Sequence, residues 1–421
     1  MKALINRSEI KGKVRAPSSK SYTIRGLMCA ALARGESEIL SPLISEDTQA
    51  ALNVLSQVGT RFHQQEDSWK VTGGNLHKPD ADLFCGDSAA TLRFMTAICS
   101  LIPGGCRLIP GPSLARRPIK PLIEALRQLG VNCSSQGDAA PVTVEGGKLK
   151  GDIVELPGHI SSQFVSALLL ISPLTEEILR IRLTTPPESK PYIRMTLDCL
   201  QQFGIEVVSS KDLREFEATK QTYQPAKYEV EGDWSSASYF LALGALSDGV
   251  EVENLNLQSR QGDKIILNFL RDMGASVEKK QNSVIVRKSK LRAIPADLSD
   301  CIDLLPTMAV LAAVADGTSE FTGIFRARLK ESNRVAAVKN GLNRMGIKAI
   351  EDKHRLTITG STPRGSIIDT KNDHRLAMAF SILGSRTGKT IIKDAECVAK
   401  TYPQFWETLK SIGGEVKIDG K

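Results

Sequence analysis

At 421 residues the chain is too long for one compact core, and its length points to two or three domains. It is 41% hydrophobic and 24% charged, as in an ordinary water-soluble protein, and 55 Lys plus Arg against 47 Asp plus Glu leave a net charge of +8, which favours anionic partners. Aromatics are only 5%, and neither a dense basic block nor an alternation of basic and aromatic residues occurs, so a nucleic-acid platform is disfavoured and small phosphorylated or carboxylated molecules are the better fit.

Taken in chain order, the predicted elements repeat. "SSKSYTIRGLMCAALARG" from Ser18 opens with small polar residues and continues as an apolar helix. The same design returns in "CGDSAATLRFMTAIC" from Cys85, "SSQFVSALLLISPL" from Ser161 and "GDWSSASYFLALGALSDG" from Gly232. It closes with "DCIDLLPTMAVLAAVADG" from Asp300 and "NDHRLAMAFSILGSRTG" from Asn372, a spacing of roughly 70 residues. In step runs a second series of helices with one apolar stripe. Each of these stops at a glycine: Gly59, Gly130, Gly204, Gly274, Gly346 and Gly413. Leucines at helical spacing followed by Gly form a helix-stop signal. Short β-branched runs such as "SVIVRK" and "RLTITG" lie between them as strands.

The first helix of each unit is apolar nearly all round and is expected to be buried, the second nearer the surface. Six buried helices are too many for one centre, whereas two groups of three fit. The polar starts are the chemically interesting ends. Unpaired N–H groups and the helix dipole make a helix N-terminus an anion site, although Ser, Asp and Asn there also serve as caps. Capping does not call for Lys20, Arg25, Arg93, His374 or Arg375.

The eight cysteines show no C-x-x-C spacing and read as reduced, mostly buried thiols. The start "MKALINRSEI" lacks the apolar segment of a secretory signal, and the chain has no apolar run long enough to span a bilayer. The expectation is a cytoplasmic protein that engages no membrane.

With these residues located, the chain closely resembles the 5-enolpyruvylshikimate-3-phosphate synthase family of enolpyruvyl transferases, the 3-phosphoshikimate 1-carboxyvinyltransferases. The resemblance runs from about Lys11 to Tyr402. It rests on "PSSKSYTIR", "CGDSAATLR", "LARRPI", "SSQF", "ESKPYI", "DCIDLLP", "RLKESNR", "NDHRLAM" and "AKTYP", nine strings in order and in phase with the repeat. It implies an α/β (α+β type) fold of two similar domains, each of three strand–helix repeats with helices inside and sheets outside. Residues 13–231 would form the shikimate 3-phosphate side. Residues 1–12 and 232–421 would carry the catalytic carboxylates and the phosphoenolpyruvate side, with the active site in the cleft between the domains.

The implied reaction transfers the enolpyruvyl group of phosphoenolpyruvate to the 5-hydroxyl of shikimate 3-phosphate and releases phosphate, in chorismate and aromatic amino acid biosynthesis. It needs no metal or organic cofactor, and the implied state is a monomer. Shikimate 3-phosphate would be held by Lys20, Ser21, Arg25, Ser161, Ser162, Gln163, Ser189, Tyr192, Asp303 and Lys330. Phosphoenolpyruvate would be held by Lys20, Asp87, Ala89, Arg117, Gln163, Glu331, Arg334, Arg375 and Lys400, with Arg93 orienting the loop around it. The planar fork of arginine suits both carboxylate and phosphate. Asp303 is the implied base, with N-capping ahead of Pro306 as its plain alternative. Glu331 is the implied acid, although neighbouring cations depress a carboxylate pKa. Lys20 is a rival for proton transfer. His374 is either a relay or a helix-start residue that fixes Arg375.

Two departures from the family pattern stand out. Asp87 and Ala89 occupy positions where relatives carry Asn and Gly, and the Ala89 methyl leads to an expectation of weak glyphosate binding; Asp87 reads only as an N-cap. Arg326 also replaces a smaller polar residue. The sister activity on UDP-N-acetylglucosamine is the nearest rival, but its loop Cys is missing, since Pro112 stands five residues before Arg117. A basic nucleic-acid scaffold is the rival of another class.

Overall fold

The computed structural model describes residues 1–420. Twelve α-helices alternate in character along the described residues. They are α1 (Lys20–Leu32), α2 (Glu46–Gln57), α3 (Ala89–Cys99), α4 (Lys120–Gln128), α5 (Ser162–Ile171) and α6 (Lys190–Gln202). The series continues with α7 (Trp234–Leu246), α8 (Ile266–Asp272), α9 (Leu305–Ala312), α10 (Arg334–Arg344), α11 (His374–Thr387) and α12 (Phe405–Ser411). The odd-numbered helices are the expected buried series: every residue of α7 and α9 is buried, as is all of α5 but Gln163 and all of α11 but Arg386 and Thr387. At roughly 1.5–3 kcal/mol for each large apolar side chain removed from water, these helices are the main source of folding free energy. The even-numbered helices bury one stripe only; α2 buries Asp47, Thr48, Ala51, Leu52, Val54 and Leu55 and leaves its other residues outward.

Among the described residues the strands form six four-stranded sheets, all of one topology. An edge strand pairs parallel with a second strand, which continues into two antiparallel ones. In the second repeat, Leu83–Phe84 runs parallel to Gly104–Ile109, which pairs antiparallel with Ala139–Gly146 and so with Asn132–Gln136. The six periodic glycines all have φ between +75° and +106°, the left-handed region that ends a helix without a Cβ penalty. Another glycine recurs where a hairpin crosses the end of a buried helix. A Cβ at Gly73 would lie 2.2 Å from the Ala30 carbonyl oxygen, and one at Gly146 2.2 Å from that of Cys99. Any side chain there would push sheet and helix apart.

Contacts divide the chain into a unit of Ser18–Val230 and a unit of Met1–Pro17 with Glu231–Lys421. Each has its own apolar core. The reason for the split chain lies in the two N-terminal strands, one interior and one at a sheet edge. Lys2–Ile5 pairs with Thr390–Lys393 and Val416–Asp419, and Gly12–Arg15 runs parallel to Val250–Glu253. The second pairing carries residues 13–17 into the C-terminal unit, whereas the sequence reading began the first domain at 13. All eight cysteines are buried and unbridged. No helix among the described residues is long and apolar enough to cross a membrane.

Candidate active site

In the unit of residues 18–230, the starts of the buried helices carry the side chains singled out in the sequence. Ser19 caps α1 by accepting from the Tyr22 N–H. Lys20, the first helical residue, points its Nζ to Asp47 Oδ2 at 2.8 Å, from the first turn of α2. Ser21 follows in the same turn. Arg25, one turn further, is buried. Its Nε donates to Thr196 Oγ1 at 2.8 Å, Nη1 to the Ser21 carbonyl at 3.0 Å, and Nη2 to the Tyr192 carbonyl at 3.1 Å. The guanidinium carbon also lies 5.3 Å from the Phe94 ring centroid and 5.9 Å from that of Tyr192. Burial lowers the Arg25 pKa from its ordinary value. Arg25 thus ties α1 to the start of α6, where Ser189 and Tyr192 sit. Ser189 is buried and holds φ +52°, ψ +43°, a left-handed conformation unusual for a residue with a side chain.

The starts of α3 and α5 are joined by Arg93. Its Nη1 donates to Gln163 Oε1 at 2.7 Å and to Ser161 Oγ at 3.3 Å, and its Nη2 to the Pro118 carbonyl at 2.8 Å. Its guanidinium carbon lies 4.8 Å from the Phe164 ring centroid. One buried cation thereby gathers the "SSQF" and "LARRPI" strings. Ser161 caps α5 through the Gln163 N–H, and Ser162 is buried behind it. Asp87 is not the cap of α3; that is Ser88, which accepts from Thr91 N. Asp87 Oδ1 instead accepts from the N–H groups of Ser113 and Leu114, at 2.9 and 3.2 Å. This contact explains the negative charge that the sequence left unexplained: it fastens the turn leading to buried Arg117. Ala89, buried, is the first residue of α3.

In the other unit, the starts of α9, α10 and α11 meet in a dense ionic cluster. Asp303 lies in a 3₁₀ turn, Ile302–Leu304, just ahead of α9 and does not cap that helix. Its carboxylate accepts from Arg334 Nη1 at 2.7 Å and Arg375 Nη2 at 3.2 Å, with Lys330 Nζ at 3.4 Å. Burial by itself would raise its pKa, but Arg375, Lys330 and Arg334 hold it well below the usual carboxylate range. Arg334 is 1% exposed. Its remaining donors reach Glu331 and Asp373, the latter at 2.8 and 3.2 Å. Burial opposes its charge, yet Asp373, Glu331 and Asp303 together raise its pKa. Asp373 caps α11 through the Arg375 N–H at 3.0 Å and also accepts from Ser332 Oγ at 2.9 Å. His374 is buried at the first position of α11, beside Arg375. Lys400 is buried and donates to the Asn372 carbonyl at 3.1 Å. Arg326 is buried and donates to the Ser299 carbonyl. Among the described residues no group of three or more His, Cys, Asp or Glu is placed to hold a metal ion.

Sequence reasoning missed Asp47 and Asp373, the carboxylates that steer Lys20 and Arg334. Both stand at a helix start, where an acid is expected for capping alone. Only Asp373, inside "NDHRLAM", lay in a string already marked.

Twin units of this topology, each with cations and carboxylates at the starts of buried helices, define the class of two-domain enolpyruvyl transferases. The family model of EPSP synthase (3-phosphoshikimate 1-carboxyvinyltransferase) matches residues 5–409. The 3-phosphoshikimate 1-carboxyvinyltransferase of Dehalococcoides mccartyi is 50% identical over 421 residues, all of both chains. That of Methanocaldococcus jannaschii is 40% identical over 97% of each chain. An EPSP synthase structure from Acinetobacter baumannii matches over the full length of both chains at a TM-score of 0.84 and 26% identity. The enolpyruvyl transferase NikO from Streptomyces tendae shares the fold, at a TM-score of 0.80 and 17% identity. The chain belongs to the EPSP synthase family.

Proposed function

We propose that this chain transfers the enolpyruvyl group of phosphoenolpyruvate to the 5-hydroxyl of shikimate 3-phosphate, releasing phosphate, in chorismate biosynthesis. The observation that carries the reading is Asp303, a buried carboxylate kept ionised by Arg334, Arg375 and Lys330. A carboxylate so held is a weak base. Arrival of the phosphate and carboxylate of phosphoenolpyruvate gives those cations new partners, and Asp303 gains basicity when substrate is in place.

Asp303 then takes the 5-hydroxyl proton while the oxygen attacks C2 of phosphoenolpyruvate, and C3 receives a proton from Glu331. The tetrahedral adduct loses a proton from C3 and expels phosphate, restoring the double bond. Glu331 suits the acid role because Arg334 orients it. Arg117, Arg334, Arg375 and Lys400 neutralise phosphoenolpyruvate; Lys20, Ser21, Arg25, Ser161, Ser162, Gln163, Ser189 and Tyr192 hold shikimate 3-phosphate, with Lys20 serving both. Asp87, Ala89 and Arg93 shape the phosphoenolpyruvate side. His374 acts by fixing Arg375 at the helix start, in line with its burial. The enzyme works as a cytoplasmic monomer without nucleic acid, and the methyl group of Ala89 weakens glyphosate relative to the more compact phosphoenolpyruvate.

The deciding assay is phosphate release from phosphoenolpyruvate with each acceptor. Turnover with shikimate 3-phosphate, none with UDP-N-acetylglucosamine, and near-complete loss in Asp303→Ala are expected. Turnover with the sugar nucleotide alone would overturn the assignment.

A further inference from the structure

Beside the ionic cluster lies another buried carboxyl group that the reaction described above does not use. Asp263 stands in a 3₁₀ turn, Gly262–Ile265, ahead of α8 and is 2% exposed. Ser235, in the first turn of α7, donates its hydroxyl to Asp263 Oδ2. Oδ1 is buried and has no hydrogen-bond partner among the described residues. Such a group is costly as a carboxylate and far cheaper as a neutral acid.

Its place is firmly set. Gln261, two residues earlier, accepts from the Trp234 N–H at 3.0 Å and donates to Glu231 Oε1 at 2.7 Å and to the Gly232 carbonyl at 2.8 Å. Glu231 also accepts from Asn256 Nδ2 and Ser259 Oγ. The loop carrying Asp263 is therefore locked to the start of α7. The titratable and charged groups facing Asp263 are Asp303 from the turn before α9, with Cys301 on the same segment, Arg375 from α11, and Asp233 from the cap of α7.

We propose that Asp263 is a positioning residue for the Asp303–Arg375 pair, acting as a neutral carboxylic acid that does not compete with Asp303 for Arg375. Burial and the charge of Asp303 push its pKa up to about 7, against the smaller opposing effects of Arg375 and the Ser235 hydroxyl. When Asp263 loses its proton, a second carboxylate competes for Arg375. That guanidinium is then less available to an incoming anion. The inference rests on the enolpyruvyl-transfer reading for its kinetic arm but not for its spectroscopic one.

The test is the pH dependence of kcat and of kcat/KM for phosphoenolpyruvate in the wild type, Asp263→Asn and Ser235→Ala. In the wild type kcat/KM falls on an alkaline limb starting near neutrality and approaching tenfold per pH unit, mainly through KM. Asp263→Asn, which keeps the shape of the neutral acid and cannot ionise, lacks that limb. Ser235→Ala removes a hydrogen bond that favours the carboxylate, so its limb moves to higher pH. Independently of turnover, infrared difference spectra of the wild type against Asp263→Asn show a protonated carboxyl band at pH 6 that disappears at high pH. A limb that persists unchanged in Asp263→Asn, one that stays put in Ser235→Ala, or absence of the band would each overturn the proposal. Loss of turnover in every protein with the band still present would sink the function and spare the protonation state.

Discussion

Asp373 offers the sharpest test of how the ionic cluster is built. It is fully buried and accepts four hydrogen bonds, two from Arg334, one from Ser332 Oγ and one from the Arg375 N–H. Asp373→Asn keeps the size and the helix cap but removes the charge opposite a guanidinium that is itself 1% exposed. Breaking a buried ion pair from one side costs roughly 3–5 kcal/mol, and a hydrogen bond to a charged group contributes about 1.5–3 kcal/mol. Arg334 retains Asp303 and Glu331, so the expected loss lies at the lower end, about 3 kcal/mol. Asp373→Ala also loses the cap and should cost about 1 kcal/mol more. Urea unfolding followed by tryptophan fluorescence in a Trp69→Phe background reads the relevant unit, because Trp234 and Trp406 both belong to its core. A shift of Asp373→Asn within about 0.5 kcal/mol of its parent, the range of an ordinary surface change, would refute the view that this carboxylate anchors the cluster.

Other consequences are as direct. Because the native pKa of Asp303 is depressed, its stabilising contribution is fully present above the ordinary carboxylate value near 3.9 and is lost as pH falls through the lowered one. Acid unfolding followed by circular dichroism should therefore be less steep below about pH 4 in Asp303→Asn than in the wild type; identical slopes would contradict the ion-pair geometry. Arg93→Gln gives up charge-assisted bonds to Gln163, Ser161 and Pro118, each contributing roughly 1.5–3 kcal/mol, and should raise KM for phosphoenolpyruvate at least tenfold, with kcat less affected. Steady-state kinetics with an unaltered KM would count against its bracing role. Ala89→Gly should lower the glyphosate inhibition constant more than the KM for phosphoenolpyruvate; equal constants in the two proteins would remove the steric account.

The alternation of wholly apolar and one-striped helices, with glycines in phase, made the six repeats and their buried and outer helices legible before any coordinates. Those features are local: burial all round a helix requires apolar residues all round it, and a helix that turns sharply into a strand requires a residue tolerant of positive φ. The same holds for most of the polar residues at the helix starts, which announce themselves by being more charged than a cap requires.

What each polar group bonds to was not legible, because the partners lie far from it along the chain. Asp87 looks like a cap and instead fastens the turn before Arg117. Asp303 looks like a cap for α9 and instead faces two arginines and a lysine. Residues 13–17 follow the first strand in sequence yet belong with Val250–Glu253, since the edge of that sheet has no other strand to satisfy its backbone. The chain's own pattern decides which residues are inside and which helix ends are charged. Only packing decides which charge meets which, because an ion pair is defined by distance in space and carries no period along the sequence.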